Sequence, residues 1–167
     1  MDMLGTWILA WGHVISAICW LGGGVVFAFV VGPALGKLSP ASSGEFLVKV
    51  VPGVVRFFQI FAGLTIVFGA LLLYNMGGLS LLSPSTSYGI ILSVGVAFAL
   101  AAFVVSEFVV APIQMKAVRL VREMLASGAH QPSPELPRTL RLAGVTAVLT
   151  AVLLILTSIC MVGAGFY

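Results

Sequence analysis

Charge is what this chain has least of. Five acidic and eight basic residues make up 8% of its 167 positions, where a water-soluble domain carries roughly 25%. A soluble fold is therefore excluded. Cysteine is nearly absent as well. Cys19 and Cys160 both lie inside apolar runs, which gives neither a disulfide framework nor a Cys-x-x-Cys metal pair. The sequence has no Gly-x-Ser-x-Gly elbow, no paired catalytic carboxylates, no phosphate-binding glycine loop and no zinc constellation. Outward-facing methionine clusters are missing too, which argues against a dedicated copper importer. The net charge of +3 does not point to nucleic acid. The basic residues between Lys116 and Arg141 are accounted for by membrane topology and anionic lipid.

What the sequence does have is apolar length. Hydrophobic residues make up 60% of it and the mean hydropathy is +1.20. Four runs, about 4–31, 52–77, 86–113 and 139–166, each exceed the ~20 residues a helix needs to cross a hydrocarbon core. Lipid offers the backbone no hydrogen-bond partners and β-barrel alternation is absent, so each run is expected to be a helix. No basic stretch precedes the first run, which is also too long for a cleaved signal peptide. The expected fold is all-α: an integral membrane four-helix bundle over 1–167, with the lipid bilayer as its surroundings.

All eight basic residues fall in or beside the links 32–51 and 114–138. The positive-inside rule places those links in the cytoplasm and both termini outside, in a plasma or inner membrane. Trp7 and Trp11 suit the outer interface. Ser42 and Glu45 have capping-box spacing, so a helix is expected to start near them. The first helix is expected to end near Gly32-Pro33, and Pro52 to kink the entry of the second. The third run, rich in glycine, alanine and serine, is expected at the bundle centre, because small residues let helices approach closely in lipid.

The polar exceptions are the candidate site residues. In the first run His13, Ser16, Trp20 and Gly24 share one helical face. Two readings of that face stand: a packing face with one polar residue satisfied by a neighbouring helix, or an axial ligand to haem or a metal beside a flat aromatic. Met161, in the outer third of the fourth run, lies in the same leaflet as His13. An imidazole and a thioether together suit haem b or a cuprous ion, while methionine also serves as a core filler. Glu107 is the one acid of the third run, costly in lipid unless paired. Arg56 enters at comparable depth, so the two are expected to form a structural ion pair, with a proton relay as the other reading. His130 falls in the loop Ala126 to Pro137, across the membrane from His13, and reads as solvated.

An internal repeat links the two halves. Phe29-Val-Val-Gly-Pro33 through Lys37 matches Phe108-Val-Val-Ala-Pro112 through Lys116, and Gly63-Leu-Thr65-Ile-Val67 matches Gly144-Val-Thr146-Ala-Val148. The offsets are 79 and 81 residues. The bundle is thus expected to consist of two parallel helical-hairpin repeats. His13 corresponds to Leu92 and Glu107 to Ala28, so any site is single rather than duplicated.

The first run, with His13, Trp20, Gly22-Gly23 and the exit Phe29-Val-Val-Gly-Pro33, resembles the opening helix of copper-resistance protein D-type membrane domains. The 52–77 run and the ending Ser158-Ile-Cys-Met161-Val-Gly-Ala-Gly resemble the same group. A more distant likeness is to four-helix membrane haem proteins of the protoporphyrinogen oxidase type, whose first helix also has histidine followed by tryptophan and glycine. That family's Arg and Tyr/His pattern after the glycine is replaced here by Val-Val-Phe-Ala-Phe. The resemblance implies a redox cofactor or metal, haem b or copper, on His13; Ser16 and Trp20 on the same helical face, and Met161 in the same leaflet, are the candidate residues beside it. The other function class is a non-catalytic accessory or scaffolding subunit of a larger membrane complex, without a cofactor. A homodimer or a membrane-complex partner is compatible with both. A transporter ranks third, because discontinuous helices are not evident.

Overall fold

The computed structural model describes residues 3–127 and 133–167. Among these every regular element is a helix. α1 (Met3–Val26) passes through a π-helical turn, Phe27–Val31, into the short α2 (Gly32–Leu35). α3 (Pro40–Lys49) precedes α4 (Val51–Met76), and a 3-10 turn, Gly78–Leu82, leads to α5 (Ser87–Val105). A second π turn, Ser106–Val110, joins α5 to α6 (Ala111–Ala126), and α7 (Glu135–Ala164) follows. The stretches Met3–Leu35, Val51–Met76, Ser87–Ala126 and Glu135–Ala164 are long and apolar enough to cross a membrane. Exposed apolar side chains such as Ile8, Ile18, Val30, Phe108 and Ile159 cover the outside, a surface suited to lipid. The chain is a multi-pass membrane helix bundle. His130 lies outside the described residues.

The first helix ends near Gly32-Pro33, as expected, but it passes Pro33 through a π turn and stops at Leu35. Pro33 has no N–H for the carbonyl four residues back, and its ring crowds that carbonyl. A π turn accommodates both problems: the Gly32 N–H bonds to the Phe27 carbonyl, five residues back, and the helix carries on to Leu35. The same solution recurs before Pro112, where the Ala111 N–H bonds to the Ser106 carbonyl. The two π turns are 79 residues apart, the spacing of the F-V-V-x-P match. The shared stretch therefore builds one backbone device twice.

Two local expectations change. α3 is capped by Ser39, whose side chain accepts from the Ser42 N–H at 3.2 Å, with Pro40 in the first turn. Ser42 is thus the donor to the cap and not the cap itself. Glu45 pairs with Lys49 one turn on, and that ammonium holds its carboxyl below the ordinary carboxylate range. Pro52 sits in the first turn of α4, where a missing N–H costs nothing, so it starts the helix instead of kinking it.

The four crossing segments meet at one layer, to which each contributes one buried residue: Trp20, Ala62, Ala102 and Leu154. Two alanines make room for the indole, which packs edge-on to Phe103 with ring centroids 6.5 Å apart. A second cluster at the basic end joins Val51 and Val55 to Ala111 and Val118. Away from these layers α1 packs along α4, and α5 along α7. α5 is therefore not at the bundle centre. Its small residues serve the pairing with α7: Gly95 has Cys160 Cβ 3.0 Å from where its own Cβ would stand.

Candidate functional site

His13 is held by α4. Its Nδ1 lies 2.9 Å from the Thr65 carbonyl oxygen, and because a carbonyl only accepts, Nδ1–H is the donor. Gly69 makes the contact possible. A Cβ there would stand 2.8 Å from the imidazole Cε1 and 3.0 Å from Nδ1. Without it, the ring lies against the helix backbone and reaches the second lone pair of the Thr65 carbonyl. The Thr65 hydroxyl is engaged elsewhere, donating to the Phe61 carbonyl at 2.7 Å. In the neutral ring Nε2 is left as the nitrogen with a lone pair.

The other residues of the predicted site are differently engaged. Ser16 is buried and donates to the Gly12 carbonyl at 2.7 Å, within its own helix. Trp20 belongs to the four-helix layer, two turns along α1 from His13. Met161 packs its methyl against Gly95 of α5, 3.4 Å from the position of a Cβ, whereas His13 packs against Gly69 of α4. Among the described residues no three His, Cys, Asp or Glu side chains come together to hold a metal. One imidazole nitrogen is thus the ligand that α1 offers. A single axial histidine is the least that a haem requires, and none of the cavities of about 620, 450 and 440 Å³ is lined by His13. Copper asks for further donors.

A second polar group stands at the basic end. Arg56 and Gln59 of α4 and Glu107 of the second π turn line one cavity of about 450 Å³, walled by Pro52, Val55, Ala111, Pro112 and Met115. Gln59 stands beside the Glu107 carboxyl group. Glu107 Oε1 is buried without a hydrogen-bond partner. The ion pairs among the described residues are Lys49–Glu45, Lys116–Glu135 and Arg119–Glu123. The expected Arg56–Glu107 pair is not one of them, and Gln59, one turn beyond Arg56, is the α4 side chain beside the carboxyl group.

Neither the Thr65–Gly69 seat nor a cavity beside α1 and α7 was expected from the sequence. The seat has a signal in the repeat. Where the second half carries Leu92 and Thr150, the first carries His13 and Gly69, so both partners of the contact depart from the repeat together. A cavity of about 620 Å³ lies between the first and last crossing segments. Gly24, Ala28, Gly32 and Gly36 line one side at four-residue spacing, and Ala143, Ala147 and Ala151 the other. Such stripes read as close helix contact, and here they face a groove. No family model, curated protein or solved structure matches the chain.

Proposed function

We propose that this membrane protein is of copper-resistance protein D type and carries a redox cofactor or metal, haem b or copper, on His13. The observation that carries the reading is the hydrogen bond from Nδ1–H to the Thr65 carbonyl across the Gly69 gap. Imidazoles that ligate metals through one nitrogen are characteristically oriented by such a bond from the other. The donor set favours haem b, since one axial imidazole is enough. A bound haem would supply one-electron exchange. The protein's own part is to hold Nε2 in place: Thr65 orients the ring, and Gly69 leaves it room. A homodimer or a membrane-complex partner is the source of any second donor, because each chain offers one imidazole here.

The same reading takes α1–α4 and α5–α7 as parallel hairpin repeats, with both termini outside and the basic links in the cytoplasm of a cell with a plasma or inner membrane. Its supports are the two π turns at the repeat spacing and the confinement of all eight basic residues to or beside the two links. A second reading, an accessory or scaffolding subunit without cofactor, is favoured by a specific observation. Ser16 and Trp20 are fully engaged within the fold, and the His13 bond by itself clamps α1 to α4.

The test is the visible absorption spectrum of the purified protein, as isolated and after dithionite, with elemental analysis, for wild type and His13→Ala. A Soret band with sharp reduced α and β bands, absent in the variant, supports haem. Copper without haem, lost in the variant, supports the copper form. A folded, colourless and metal-free protein would leave the accessory reading.

A further inference from the structure

Glu107 is not needed by the backbone that carries it. The π turn Phe27–Val31 has the same hydrogen-bond pattern as Ser106–Val110, and in the repeat Ala28 stands where Glu107 does. Arg56 and Gln59 likewise correspond to Pro137 and Leu140 in the second half. The polar trio, Arg56 and Gln59 from the first half and Glu107 from the second, thus stands at one of two repeat-related places, and the fold forms the other with Pro137, Leu140 and Ala28. Ionisable side chains at membrane depth are costly and mark functional sites by default.

The chemistry of the cavity defines what fits it. Glu107 brings a carboxyl group to the wall of the cavity, its Oε1 turned away and buried without a hydrogen-bond partner. Arg56 lines the same cavity with no ion-pair partner among the described residues. A guanidinium is the side chain best shaped to grip phosphate with two parallel hydrogen bonds. One anion and one cation that share a cavity without touching each other complement a zwitterion. The walls Val55, Ala111 and Met115 are apolar, and one side is open. Lys49 lies just before Pro52 and Lys116 follows Met115, so the cavity sits where the crossing segments meet their basic ends, the level of lipid headgroups.

We propose that this cavity binds the headgroup of an aminophospholipid from the surrounding bilayer, its primary ammonium on Glu107 and its phosphate on Arg56. Gln59 stands beside the carboxyl group on the α4 side. A quaternary ammonium has no N–H to give the Glu107 carboxylate, so discrimination against choline headgroups follows from the chemistry. The site is independent of His13 and of any cofactor there.

The experiment is native mass spectrometry of the full-length chain in detergent after delipidation, with lipids of identical acyl chains added back. Phosphatidylethanolamine should bind about tenfold or more tightly than phosphatidylcholine, with affinity falling at each step of the N-methyl series between them. Glu107→Gln and Arg56→Gln should bring phosphatidylethanolamine down to the phosphatidylcholine level. The methyl series on the unaltered protein stands even if a variant does not fold. Equal binding of phosphatidylcholine or phosphatidylglycerol, or an unchanged preference in a folded Glu107→Gln protein, would overturn the proposal. Free phosphoethanolamine binding as tightly as the lipid would overturn the bilayer as the source.

Discussion

Two glycines six residues apart on α4 give opposite predictions for the same substitution. Gly69→Ala places a methyl 2.8 Å from His13 Cε1 and 3.0 Å from Nδ1, so the imidazole must leave its seat on the Thr65 carbonyl. The lost hydrogen bond costs about 0.6–1.5 kcal/mol and the overpacking about 1–3 kcal/mol. Replacing glycine within a helix returns about 1 kcal/mol. The net expectation is a destabilisation of about 1–3 kcal/mol. For a chain of this size, the middle of that range lowers the melting temperature by roughly 4–8 °C. Gly63→Ala meets nothing within 4 Å, keeps only the propensity gain, and should hold or raise the melting temperature. The assay is thermal unfolding of both variants in the same detergent, followed by circular dichroism. If Gly69→Ala is no less stable than Gly63→Ala, His13 is not seated against Gly69 and the site geometry fails.

The other predictions concern the second helix pair and the basic end. Gly95→Val should separate α5 from α7, because its Cβ falls 3.0 Å from Cys160 Cβ and 3.4 Å from Met161 Cε. A loss of about 1–3 kcal/mol is expected in the same unfolding assay, and a neutral variant would contradict the seating of Met161. At Glu45, Lys49 depresses the folded-state titration. The contribution of this pair is therefore present above the ordinary carboxylate range and is lost as the pH falls through the lowered value. Lys49→Gln should move the Glu45 carboxyl titration, read by carbon-13 chemical shift, back upward. An unchanged titration would show that the two side chains do not pair.

The sequence shows which segments are apolar and which prolines must be accommodated, and much of the fold follows from those two facts. Pro33 and Pro112 reveal that something must happen to the helix. They do not say whether it ends or bulges, because the outcome depends on whether the chain beyond finds packing. Here Ala117, Val118 and Val121 are buried beyond Pro112, which favours continuation. The shared face of His13, Ser16 and Trp20 was legible from spacing, but its covering was not. Ser16 turns back to the Gly12 carbonyl, a local bond that competes with any ligand. Trp20 goes to the layer where two alanines make space. Arg56 and Glu107 were legible as neighbours in depth. Their lateral relation depends on how α4 meets the second π turn, and there Gln59 stands beside the carboxyl group.

His13 directs its ring proton from Nδ1 to the Thr65 carbonyl, and this leaves Nε2 as the proposed ligand. Nitrogen-15 spectroscopy of the imidazole in the purified protein reads this directly. The expected result is a protonated, hydrogen-bonded Nδ1 and an unprotonated Nε2 in the neutral ring, with the Nε2 signal alone displaced when haem is added. A ring protonated on Nε2, with Nδ1 bare toward the Thr65 carbonyl, would contradict the geometry on which the proposed ligand depends.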